Sequence, residues 1–101
     1  MTVLYTPPSD LPGAELVATG LADLREGRAT AQAFLVACAA SRLREIGIEV
    51  PVHGIADPGR ELYSALGAQD PAGAYSTYNA LRRRLVSFCE AAEADARRRH
   101  R

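Results

Sequence analysis

The sequence predicts an all-α protein, a small up-and-down bundle of three to four helices with two long antiparallel helices at its core. Three observations carry that expectation. Apolar residues recur at helical spacing in separate segments, and Asp or Thr caps with Pro or Gly stops punctuate the boundaries between them. Only 6 % of the 101 residues are aromatic and none is Trp, so Leu, Val, Ile and above all Ala must fill the core. A core rich in Ala suits closely spaced helices rather than a thick sandwich. The length fits one domain and can bury a core without disulfide or metal staples.

The order of elements follows from local chemistry. Residues 1–9 predict an extended arm, because Pro7 and Pro8 forbid a helix there. A helical domain over residues 10–97 and a basic tail over residues 98–101 follow it. The first helix is expected over residues 12–25, with Val17, Gly20, Leu21 and Leu24 on one stripe and Gly27 as its stop. The second is expected over residues 31–46, between a Thr30 cap and Gly47. It is apolar nearly all round: Ala31, Leu35, Cys38, Ala39 and Ile46 make one face, and Ala33, Ala37 and Ala40 the reverse. Such a helix belongs at the centre of a bundle or at a subunit interface.

Residues 48–56 contain Pro51 and Gly54 and predict an extended connector, not a sheet, since no partner strand is in sight. A short third helix should start at an Asp57 cap with Pro58 in its first turn and end at Gly67. A fourth should start in the same way at Asp70 and Pro71 and run to Arg97. Its stripe is Ala74, Tyr78, Leu81, Leu85, Phe88, Cys89, Ala92 and Ala96. At about 26 residues it would be ~39 Å long, more than the first and third helices can cover. Phe88, Cys89, Ala92 and Ala96, with Ala33, Ala37 and Ala40, are therefore expected to form an apolar face that a second copy closes in a homodimer.

Charge narrows the function classes. All twelve basic residues are Arg, the pattern that a GC-rich bacterial genome imposes, so Arg by itself is no sign of phosphate recognition. Net charge is zero, which leaves no overall electrostatic footprint for nucleic acid. The distribution is uneven: residues 1–81 hold nine acids against five Arg, and residues 82–101 hold three acids against seven. No signal peptide or membrane span is evident, and a cytoplasmic location without membrane contact is expected. Cys38 and Cys89 lie in apolar stretches that suit buried free thiols; a disulfide between them is the alternative.

Few residues suggest chemistry. Arg42 falls at the centre of the apolar face of the second helix, so it must contact an anion or ligand inside the bundle or pair with an acid such as Glu45, Glu61 or Glu90. Arg82, Arg83 and Arg84 spread over about 200° of the fourth helix, which suits a solvated face better than one phosphate site. Tyr75, Tyr78 and Asn79, with Tyr63, are candidates to line a polar pocket. No Cys or carboxylate stands at metal-ligand spacing from His53 or His100, and Ser64, Ser76 and Ser87 have no readable His–acid pair. No catalytic residue, metal or cofactor is expected. The expected role is a protein-interaction or dimerisation module, an adaptor or regulatory partner acting on itself or on the product of a neighbouring gene. The alternative is a nucleic-acid or anion-binding module using the Arg-rich fourth helix and the tail, with nucleic acid the less expected partner. Third stands a small-molecule-binding protein or enzyme with a pocket near Arg42, Tyr75 and Tyr78.

Overall fold

The computed structural model describes residues 4–99; the first three residues of the expected arm, and His100 and Arg101 of the expected tail, lie outside them. Among the described residues there are five helices: α1 (Ala14–Arg25), α2 (Ala31–Cys38), α3 (Ala40–Ile46), α4 (Pro58–Gln69) and α5 (Ala74–Arg99). Among the described residues there is no strand. The 26 residues of α5 set the longest of the three dimensions, 46 × 25 × 18 Å.

The local signals hold where cap chemistry decides. Thr30 Oγ1 accepts the Ala33 amide at 3.1 Å and starts α2, and the Asp57 carboxylate accepts the Arg60 amide at 3.2 Å and starts α4. Val17, Gly20 and Leu21 are buried on α1, as their spacing predicts. Several boundaries differ from expectation: α1 starts at Ala14, not at residue 12, and α5 runs on to Arg99. Gly67 does not stop α4, which continues to Gln69; its φ is not positive, so it is simply one more helical residue. Pro71 is not in the first turn of α5 either, because residues 71–73 make a turn and the helix begins at Ala74.

The main correction concerns the second predicted helix, which is two helices. Ala39 leaves the helical region at φ −112° and ψ 18°, and its amide bonds back only three residues, to the Val36 carbonyl. Neither Pro nor Gly stands there. The cause is tertiary: α2 packs mainly on α1 and α4, whereas α3 packs on α5. A straight helix could not serve both directions. Two long core helices are therefore not what the protein has. Five of the eight residues of α2 are buried, Ala33 to Ala37, so its expected central place is kept, although Cys38 and Ala39 are only partly covered.

The closest approach is between α1 and α2 at Gly20. A β-carbon there would lie well inside van der Waals distance of the Val36 side chain and the Gln32 carbonyl oxygen. The turn between these helices is organised by Asp23, which is only 6 % exposed. Its carboxylate accepts from the Thr30 hydroxyl at 2.5 Å and from Arg28 Nε at 2.9 Å. Those two bonds hold its pKa below the usual carboxylate value. The end of α1 is thus tied to the cap of α2.

The arm is pinned at Tyr5. Its amide donates to the Gly47 carbonyl at 2.7 Å, its ring is buried, and its hydroxyl donates to Asp95 on α5 at 2.5 Å. Burial and the Asp95 bond push the phenol up to about 12, while the same bond is the first cause of the lowered pKa of Asp95. Tyr5→Phe removes only the hydroxyl. It should lower the thermal midpoint by about 4–8 °C and move the Asp95 carboxyl upward in a carboxylate NMR titration. An unmoved Asp95 would mean that Arg98 and Arg99 alone set its charge.

Candidate functional site

Two concave regions gather chemistry or apolar surface. The first is a groove of about 360 Å³ between the arm and α1. Pro7 and Pro8 keep the arm extended, so it runs over α1 without joining it. The arm forms one wall, Ala18 and Arg25 belong to the other, and Val17, Leu21 and Phe88 close the bottom. Gly13 makes the entry to α1 possible. It has φ 76°, and a β-carbon there would sit 3.0 Å from the Arg84 carbonyl oxygen. At the rim Glu15 pairs with Arg84 of α5. Arg25 is exposed and has no acid within ion-pair distance among the described residues.

The second is a cleft of about 590 Å³ between the start of α4 and the first turns of α5, lined by Asp57, Gly59, Arg60, Tyr63, Ser64 and Tyr78. The Tyr63 and Tyr78 rings meet edge to face with centroids 5.7 Å apart. Arg82, one turn beyond Tyr78, donates to the Tyr78 hydroxyl at 3.3 Å and lies 5.7 Å from its ring centroid. Gly59 lets α4 approach: a β-carbon there would sit 3.3 Å from the Tyr78 hydroxyl. Arg82 also reaches Cys38, whose thiol burial pushes up and Arg82 partly restrains.

The residues singled out from the sequence do not form one site. Tyr78 and Arg82 meet with Tyr63, but Tyr75 is 69 % exposed and stands apart from the cleft. Arg83 and Arg84 line a different hollow, against Pro12 and Gly13. Arg42 pairs bidentately with Glu93 of α5, at 2.9 and 2.8 Å, and not with Glu45, Glu61 or Glu90. Glu93 lies 51 residues away, and the turn at Ala39 brings α3 to it. Both side chains keep about a third of their surface in water, 39 % and 31 %. The pair is therefore worth about 1 kcal/mol or less, short of the fully buried case. It raises the pKa of Arg42 and lowers that of Glu93.

The expected dimer face needs the plainest correction. Phe88, Cys89, Ala92 and Ala96 are at most 8 % exposed within one chain, and Ala33, Ala37 and Ala40 at most 7 %. The alanines of α2 are shared among α1, α4 and α5, and α3 with the connector residues Ile48 and Val50 joins the core beside the α5 stripe. These residues leave no open apolar face. Cys38 and Cys89 are free thiols. Among the described residues no three His, Cys, Asp or Glu side chains gather as a metal site, and no helix is long and apolar enough to cross a membrane.

Tyr5, Ala18, Asp23, Gly59 and Arg60 were not marked by the sequence. Only Asp57, as a cap, and the tyrosines pointed toward the cleft. The chain matches no protein-family model, and no curated protein or solved structure is detectably similar to it.

Proposed function

We propose that this chain is a protein-docking module. Its groove between the arm and α1 would receive one large apolar side chain from a partner of unlike sequence. The observation that supports this is the accessible apolar lining of Pro7, Pro8 and Ala18, backed by the buried Val17, Leu21 and Phe88, around a volume of about 360 Å³, within the range of binding pockets. The exposed Arg25 at the rim favours a partner segment with an acidic residue beside its apolar anchor. A second copy is not the proposed occupant, because the residues expected to pair with it are covered. A nucleic-acid interface has less support: Arg84 is paired with Glu15, and Arg98 and Arg99 with Asp95.

Ala18 makes the proposal testable. It lines the groove yet is exposed, so Ala18→Trp fills the site without entering the core. A displayed peptide library selected on the native protein should enrich segments with a large apolar anchor next to Asp or Glu. The same peptides should bind the Ala18→Trp protein at least about tenfold more weakly. Enrichment of nothing, or of peptides that bind both proteins equally, would refute the groove as the docking site.

A further inference from the structure

Among the described residues Arg42 and Arg82 are the two half-buried arginines, the others being exposed. Arg42 has its acid in Glu93. Arg82 has none within ion-pair distance among the described residues, and its hydrogen-bond partner there is the Tyr78 hydroxyl. A guanidinium carries five N–H donors, so this one is poorly used. Its contact with the Tyr78 ring and its place near the end of α2 account for where it sits. Neither supplies it with an acid.

The bond to Tyr78 has a direction. Arg82 donates, so the Tyr78 oxygen accepts and its own proton is free to be given to something else. A cationic donor polarises that O–H and makes it a stronger donor in turn. The hydroxyl lies at the cleft wall beside Gly59, and Arg60 lines the same cleft, exposed and without an acid of its own among the described residues. Ser64 adds a second hydroxyl. Against these stands the Asp57 carboxylate, occupied in capping α4. Two arginines and one acid leave a single positive charge. That matches a monovalent carboxylate and disfavours a dianionic phosphate. The rest of the cleft is aromatic: Tyr63 is 44 % exposed and its ring meets Tyr78 edge to face, an open surface for a flat apolar body.

We infer that the cleft between Tyr63 and Tyr78 binds a small aromatic carboxylate. Its oxygens take the Tyr78 O–H and the Arg60 guanidinium, and Arg82 is the positioning residue behind the phenol. This site is separate from the groove and does not rest on the docking proposal. Benzoate is the probe, titrated into the intact protein and followed by amide and side-chain NMR shifts. Saturable shifts centred on Gly59, Arg60 and Ser64 are expected at millimolar benzoate. Tyr78→Phe keeps the ring and Arg60→Gln changes an exposed side chain, so both variants should fold with little change in midpoint. Each should weaken benzoate about tenfold, a loss of ~1.4 kcal/mol. Arg83→Gln, away from the cleft, should bind as the native protein does. No saturable shift below about 10 mM, undiminished binding in either cleft variant, or inorganic phosphate bound at the cleft as tightly as benzoate would each overturn the inference.

Discussion

Phe88→Ala should lower the unfolding free energy by about 3–5 kcal/mol in urea denaturation. A domain of this size has only about 5–15 kcal/mol in total, so the variant should be marginal at room temperature. The ring is fully buried, and it closes the bottom of the groove where α5 passes under α1. The arm and α1 cannot collapse into the vacated space, because Tyr5 holds the arm and Gly13 already sits against the α5 backbone. The cavity term should therefore be felt nearly in full. Val86→Ala is the comparison. It lies two residues earlier on the same helix, is 44 % exposed, and should cost well under about 1 kcal/mol. Equal losses in the two variants would mean that α5 presents a different face to the core.

Gly20→Ala is the second large effect, and its sign opposes simple propensity. Replacing Gly by Ala inside a helix normally gains about 1 kcal/mol. Here the added methyl meets the Gln32 carbonyl oxygen, which is backbone and cannot rotate aside, as well as the Val36 side chain. Moving α2 away would open its contacts with α1 and α4 together. A net loss of about 1–3 kcal/mol is expected from the same denaturation measurement. Gly67→Ala provides the contrast. It is inside α4, has no atom within 4 Å of the added carbon and no positive φ, and should stabilise by about 0.4–1 kcal/mol. A stabilised Gly20→Ala would show that α1 and α2 do not approach as described.

What the sequence revealed of this fold was local. Thr30 and Asp57 mark helix starts because a side-chain oxygen three residues before an amide is enough to cap it. The stripe of α5 was legible through Phe88, Cys89 and Ala92 because one regular helix turns by a constant angle. The break at Ala39 was invisible because it lies in a run of Ala and Cys, with good helix formers on both sides. Only the different neighbours of α2 and α3 require it. The same limit misled the expectation of an open apolar face. A wheel shows that α2 is apolar all round, but not that α1, α4 and α5 of the same chain divide that surface. Asp23 looks like an ordinary solvated acid until Arg28 and Thr30 fold back on it. The candidate sites were the least legible part. Tyr63, Tyr78 and Arg82 are all visible as candidate ligand contacts in the sequence, but a helical wheel groups Arg82 with Arg83 and Arg84 and does not show that it alone meets Tyr78. The groove exists only because the arm crosses α1, and no residue spacing encodes that crossing.

The Tyr5 latch also bears on the order in which the chain closes. The turn joining α1 to α2 spans five residues, from Glu26 to Thr30, whereas Tyr5 and Asp95 are separated by 90. Loop-closure entropy grows by about 0.6 kcal/mol for each doubling of length, so from the unfolded chain the latch would cost ~2.5 kcal/mol more to close than that turn. Once α1 and α5 are packed, only the short arm before Ala14 is left to order. Its return is confined to one hydroxyl, one amide and one buried ring. It is thus the natural last step of folding and the first to reverse. When it reverses, the groove loses the wall made by Thr6 to Ser9, while α1, α2 and α4 keep their contacts with one another. The width of the groove is then a local equilibrium, set by Tyr5 at one end of the described chain and Asp95 near the other, and separable from the stability of the core.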